Sequence, residues 1–228
     1  FRKSMGVICC CFPYEVKNMR SVSLFYRKLC TFAFILINKK TIRKSMSLKV
    51  RFFKFLLKKT GFTIDYNVPE EARKSVMAFA PHTSLWDFVV GKMVFVAMGV
   101  QIKFLIKKEY FFPPLGYFLR KWGGIPVDSK RIRSLPIDVG NLIKSSEKMT
   151  VLIAPEGTRK LVKTWKRGFY FIAEYANVPI FLSYLDWKTK RGGIGPSIYP
   201  SGDYEKDLEK IYTFYRGMQG KHPEKFNL

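Results

Sequence analysis

The sequence predicts an α/β layered domain, a mostly parallel or mixed central sheet flanked by helices, with a basic amphipathic helix on its N-terminal side. Three observations carry that prediction. From residue 62 onward, short apolar runs of strand length alternate with longer segments of helical spacing. Several of those runs break sharply at a Pro or Asp, as buried strands do where they leave a sheet. The 228 residues suffice for one substantial core, and 47% hydrophobic with 16% aromatic residues is too apolar for a disordered chain.

The first 45 residues differ from the rest. They hold ten Lys or Arg against one acid, which is +9 of the chain's formal +24. All four cysteines, Cys9, Cys10, Cys11 and Cys30, fall there without the paired spacing of a zinc site, and their confinement fits a reducing compartment. The apolar stretch 29–37 is bounded by Arg27, Lys28, Lys39 and Lys40 and reaches only about half of a membrane span. No small-residue cleavage site follows it, so a signal peptide is not expected. Residues 1–45 are therefore read as a basic extension, non-native or read from upstream, and Met46 as a plausible start of the functional domain, 46–228.

Residues 47–60 interleave Leu48, Phe52, Phe55 and Leu56 with Lys49, Arg51, Lys54, Lys58 and Lys59 at helical spacing, and Gly61 supplies a C-cap. Such a helix either packs its apolar side on the core or lies in a membrane interface, where each cation near an anionic surface contributes about 1 kcal/mol. After it, strands are predicted at 62–66, 75–80, 101–107, 124–127, 151–154 and 180–187. Helices are predicted at 84–98, 115–121, 136–148, 168–176 and 204–218, and the glycine-rich stretch 191–196 reads as a loop. Phe88, Phe95, Phe111, Phe112, Tyr117 and Phe118 are expected mainly in the core, with some free to wall an acyl groove.

Two strand ends carry the candidate chemistry. The run 75–80 leads into Pro81-His82-Thr83-Ser84-Leu85-Trp86-Asp87, which puts a histidine at a strand-to-helix turn and an acid one turn into the helix. An imidazole there can take a hydroxyl proton while the carboxylate fixes its tautomer. The spacing also fits a plain helix start with an acid favoured by the dipole. The other histidine, His222, sits in a polar C-terminal stretch. The run 151–154 leads into Pro155-Glu156-Gly157-Thr158-Arg159. Backbone N–H groups around Gly157 with a fork-shaped guanidinium suit a phosphate or an oxyanion; the plain alternative is a turn with a surface arginine. Between the two, Trp122-Gly123-Gly124-Ile125-Pro126-Val127-Asp128-Ser129-Lys130-Arg131 ends in a basic cluster, and Asn177-Val178-Pro179-Ile180 opens a further strand.

Taken in order, these four blocks resemble the glycerolipid acyltransferase family, whose best-known members acylate lysophosphatidic acid. His82 and Asp87 match the family's His-x4-Asp motif, and Glu156-Gly157-Thr158-Arg159 its Glu-Gly-Thr-Arg motif. Gly124 with a basic residue after Asp128 is similar to its acceptor-binding block, and Val178-Pro179-Ile180 to its fourth. The family's second block usually has arginine directly after Val-Asp; here Ser129 stands there, followed by Lys130 and Arg131, and the bidentate fork of Arg131 favours it slightly as the phosphate ligand. The third block opens on Ala154 where an aromatic is usual.

The resemblance implies acyl transfer from an acyl carrier protein or coenzyme A thioester to the free hydroxyl of a lysophospholipid, first of all 1-acylglycerol-3-phosphate. It implies His82 as general base, Asp87 behind it, and Glu156, Gly157, Thr158, Arg159, Gly124 and Lys130 or Arg131 at the acceptor, with an oxyanion held by backbone N–H groups near Gly157. No cofactor or metal is implied. A net charge of +24 leaves nucleic acid and an anionic membrane as partner classes. The basic residues are dispersed, with no helix-turn-helix, zinc-finger or RNA-recognition signature, so the membrane is expected and nucleic acid is not. The expected location is peripheral, on the cytoplasmic face of the cell membrane.

Overall fold

The computed structural model of the protein describes residues 42–128 and 134–228. The four cysteines, the stretch 29–37 and the basic cluster of Ser129, Lys130 and Arg131 lie outside the described residues.

Among the described residues, β1 (Thr63–Ile64), β2 (Lys74–Ala80), β3 (Ile102–Lys107), β4 (Gly124–Val127), β5 (Met149–Ile153), β6 (Ile180–Asp186) and β7 (Arg191–Ile198) form one sheet. Its spatial order is β1-β7-β6-β2-β5-β3-β4, with every neighbouring pair parallel except the β6–β7 hairpin. The helices are α1 (Ile42–Lys59), α2 (Leu85–Ala97), α3 (Leu115–Trp122), α4 (Leu135–Ser145), α5 (Gly168–Ala176) and α6 (Tyr204–Tyr215). This is the α/β layered architecture that the alternating pattern predicts. The first helix begins at Ile42 and runs unbroken through Met46.

The central strand β2 shows why the layers form. Its sequence is almost wholly apolar because both faces are covered. Successive side chains point to opposite faces. Val76, Ala78 and Ala80 enter a core shared with Val139 and Ile143 of α4, Phe169 and Ile172 of α5, and Ile211 and Tyr215 of α6. Met77 and Phe79 enter a second core with Leu57 of α1 and Val90, Val94 and Phe95 of α2. One strand thus ties both layers together, and the loop at its end inherits that rigidity.

The largest departure from the sequence reading is β7. The stretch 191–196 reads as a loop because it holds three glycines and a proline, all poor strand formers. Here glycine is needed for space. A Cβ on Gly195 would lie 2.4 Å from the Phe214 ring, and one on Gly193 would lie 2.8 Å from Asp65 Cβ. The strand can lie against α6 and the β1 turn only because these positions carry no side chain. Two helix ends also differ. The α4 helix stops at Ser145, before the predicted 148, because the Ser145 and Ser146 hydroxyls donate to Leu142 O at 3.2 and 2.7 Å and close the last turn. The α6 helix stops at Tyr215, and the chain then returns to the sheet, where Trp187 N–H donates to Gln219 O at 2.8 Å.

Candidate active site

Strands β2, β5 and β6 lie side by side and parallel, so their C-terminal ends, at Ala80, Ile153 and Asp186, meet along one edge of the sheet. In an open α/β sheet that edge is where ligands bind. The loop after β2 carries His82, the loop after β5 carries Glu156 to Arg159, and the turn after β6 carries Trp187.

The loop after β2 is shaped by Asp87. Ser84 caps α2 and Asp87 reaches back, so the two form a capping box. Asp87 Oδ2 accepts from the N–H groups of Thr83 and Ser84 at 2.6 and 2.7 Å and from the Thr83 hydroxyl at 3.3 Å. Its Oδ1 accepts from the indole Nε1–H of Trp187 at 2.7 Å. Burial pushes the Asp87 carboxyl up, and these donors pull it back. The sequence pattern predicts that this carboxylate reaches the imidazole. Three of these bonds hold the turn on which His82 stands, and the fourth ties it to Trp187.

His82 is buried, 4% exposed, and its backbone N–H donates to Glu156 Oε1 at 2.7 Å. Burial pushes the imidazole down to about 4, and the charge of Arg159 pushes it the same way. The ring is therefore neutral at neutral pH, as a general base must be at rest. Arg159 stands on the loop after β5, the loop whose Glu156 accepts that His82 N–H.

Glu156 ties the second loop to the first through that same N–H. Burial pushes its carboxyl up to about 8; the His82 N–H opposes this and the charge of Asp87 adds to it. It is mostly protonated at neutral pH. Among the described residues its Oε2 has no hydrogen-bond partner. The sequence reading makes Glu156 a contact of the acceptor; the bond it makes here is to the backbone of the catalytic loop.

Gly157 sits at φ +63, a left-handed conformation that favours glycine. A Cβ on it would also lie 2.7 Å from Lys166 Cδ and Cε, so the lysine stem passes directly over it. Its N–H donates to Ala154 O at 3.0 Å. That amide is engaged within its own turn. The Thr158 hydroxyl accepts from Lys160 N–H at 3.3 Å. Trp165, buried against Tyr212 and Tyr215, anchors the far end of the loop.

Gly124 opens the edge strand β4, three strand spacings from β2, roughly 14 Å. A Cβ there would meet Ile106 Cδ1 at 2.8 Å and Leu119 O at 2.9 Å, so close packing requires this glycine. Beside it, a cavity of about 440 Å³ is lined by apolar residues that include Phe111, Ile125, Leu135 and Leu142 and by the charged residues Lys108, Arg120, Asp128 and Asp138. Of the aromatic set, Phe95 is buried, while Phe112 and Tyr117 are exposed. No group of three or more His, Cys, Asp or Glu side chains suited to a metal ion gathers among the described residues.

Sequence reasoning missed Thr83, Trp187 and the C-terminal stretch 219–222. His222 N–H donates to Thr83 Oγ1 at 3.1 Å, and a Cβ on Gly220 would lie 2.4 Å from that oxygen. Gln219 N–H donates to Asp186 Oδ1 at 3.0 Å. The tail that reads as a polar terminus is packed against the loop that carries His82. Only the tryptophan at the end of β6 carried a signal, as a large aromatic with a polar handle where a strand leaves the core.

The comparisons agree with this geometry. The family model described as Acyltransferase matches residues 59–186, a span that contains all four sequence blocks. The crystal structure of the 1-acyl-sn-glycerophosphate (LPA) acyltransferase PlsC from Thermotoga maritima shares the fold, with a TM-score of 0.53 at 18% identity over 85% of this chain and 88% of that one. No curated protein sequence matches. With more than half of its length matched by the family model and with His82, Asp87, Glu156 and Arg159 gathered on one sheet edge, the chain belongs to the acyltransferase family.

Proposed function

We propose that this chain is an O-acyltransferase that moves a fatty acyl group from an acyl thioester, of acyl carrier protein or coenzyme A, to the free hydroxyl of a lysophospholipid, with 1-acylglycerol-3-phosphate the first candidate. The observation that carries the reading is the buried His82 at the end of β2, whose backbone N–H is tied at 2.7 Å to Glu156 of the loop that also carries Arg159. His82 accepts the hydroxyl proton as the oxygen attacks the thioester carbon. The tetrahedral intermediate then expels the thiolate, which takes that proton from the imidazolium. General-base help of this kind supplies about 10²–10⁴-fold. The thioester is already activated, so no serine or cysteine nucleophile is required.

Arg159 gives the site a second property. Burial, and after it the Arg159 charge, hold His82 down. A phosphate seated on Arg159 would cancel that charge and let the imidazole become a stronger base as the acceptor arrives. Asp87 backs the imidazolium that forms. The basic surface suits an anionic bilayer. The α1 helix leaves Leu48, Phe52 and Phe55 exposed among Arg51, Lys54, Lys58 and Lys59, as an interfacial helix does, and no described helix is long and apolar enough to cross a membrane.

The test is thiol release from an acyl thioester with a panel of lysolipid acceptors, the lipid product identified by mass spectrometry. His82→Ala should abolish turnover and leave lysolipid binding in place. Near-normal turnover in that variant would overturn the base assignment.

A further inference from the structure

Asp87 is held from two sides by parts of the chain that lie far away in sequence. On one side stands the Trp187 indole, 2.7 Å from Oδ1. On the other is Thr83, whose hydroxyl lies 3.3 Å from Oδ2 and is itself fixed by His222 N–H at 3.1 Å. Trp187 is equally constrained. Its backbone N–H donates to Gln219 O at 2.8 Å, and its ring meets Phe62 edge-on at 5.3 Å. Lys190 and Lys221 lie 4.4 and 5.3 Å from its ring centre. An indole packed on so many sides can present its N–H in only one direction, toward the carboxylate.

We propose that Trp187 is a positioning residue for the acyl transfer, fixing through its Nε1–H the orientation and proton affinity of Asp87 and so the base strength of His82. The inference rests on the acyl-transfer reading of the site. A carboxylate that gives one lone pair to an indole donor is less basic and less free to rotate than one without it. The charged and titratable groups around it are His82 and Glu156 from the two motif loops, Asp186 beside Trp187, and Lys190 and Lys221 over the indole. Among the described residues the donor to Asp87 Oδ1 is the Trp187 Nε1–H, which does not titrate.

The experiment replaces the indole by a ring without a donor. Trp187→Phe keeps an aromatic against Phe62 and the two lysines and removes the Nε1–H. The expected result is a kcat lower by on the order of tenfold or more, with KM for the lysolipid nearly unchanged. The acidic limb of the kcat profile should move to higher pH, because Asp87 without its donor protonates more readily. Wild-type kcat and pH profile in Trp187→Phe would overturn the inference, and so would a change confined to KM. A second readout covers a variant that folds poorly: in the wild-type protein the Trp187 indole proton should resonate downfield and exchange slowly, and Asp87→Asn should shift it. A fast-exchanging indole proton, insensitive to Asp87→Asn, would also overturn it. Wild-type protein that transfers no acyl group to any acceptor would sink the acyl-transfer reading and this inference with it, whereas an active wild type with an unaffected Trp187→Phe sinks this inference alone.

Discussion

Glu156→Gln is the perturbation whose outcome the structure fixes most closely. Its carboxyl is pushed from an ordinary 4.5 up to about 8 by burial, while the His82 imidazole is pushed from 6.5 down to about 4. The two act on stability with opposite signs. Between pH 4.5 and 8 the folded protein holds a proton on Glu156 that the unfolded chain has lost, so stability falls as pH rises. Between pH 4 and 6.5 the unfolded chain holds a proton on His82 that the folded protein lacks, so stability rises with pH. The opposing slopes largely cancel below pH 6.5, and above it Glu156 dominates. From pH 6.5 to 7.5 the glutamate lowers stability by about 1 kcal/mol, and the fading histidine contribution returns a minor part of that. Glutamine keeps the carbonyl oxygen that accepts the His82 N–H and cannot titrate. Equilibrium urea unfolding of both proteins at pH 6.5, 7.0 and 7.5 should therefore show the wild type losing about 1 kcal/mol while Glu156→Gln holds level or gains slightly. Every other titrating group is common to the two proteins and drops out of the difference. Parallel pH dependences would refute the assignment of a neutral, buried Glu156, and a steeper fall in the variant would refute its sign.

Three further outcomes follow from the same geometry. Arg159→Ala should raise KM for a phosphate-bearing acceptor by about 10–100-fold, the loss of a charge-assisted contact, and should move the acidic limb of kcat/KM upward because the cation that depresses His82 is gone; steady-state kinetics across pH checks both. Asp207 is fully buried and accepts from Tyr170, from the N–H and hydroxyl of Ser201, and from Lys210 at 2.7–3.0 Å. Asp207→Ala should cost about 3 kcal/mol and lower Tm by about 6–12 °C in a thermal melt, since it leaves several donors unsatisfied. Reversing Lys54 and Lys58 of α1 to Glu should abolish flotation with anionic vesicles and leave any binding to neutral vesicles unchanged, as each cation near such a surface contributes about 1 kcal/mol.

What could be read in the sequence and what could not divide along a physical line. The layers were legible because β2, β5 and β6 are buried on both faces and so are mostly apolar, with the buried hydroxyls of Ser75, Thr150 and Ser183 bonded to backbone carbonyls. His82, Asp87, Glu156 and Arg159 were legible because a strand end followed within a few residues by a chemical group is a local pattern. The strand β7 was hidden because its residues answer to Phe214 and Asp65, neighbours that no local rule sees. Trp187 and His222 were hidden for the same reason. They lie 100 and 139 positions along the chain from the groups they hold, Asp87 and Thr83. The local motif therefore supplies the candidate reacting groups, and partners distant in sequence bond to the residues around them. Two consequences follow for the chemistry. Damage to the C-terminal stretch 219–222 should reach the catalytic loop through Thr83 and Trp187, although none of its side chains need touch substrate. And a chain carrying the His-x4-Asp spacing without an aromatic donor at the end of β6 would hold the same base on a looser carboxylate, so the motif by itself underdetermines the rate.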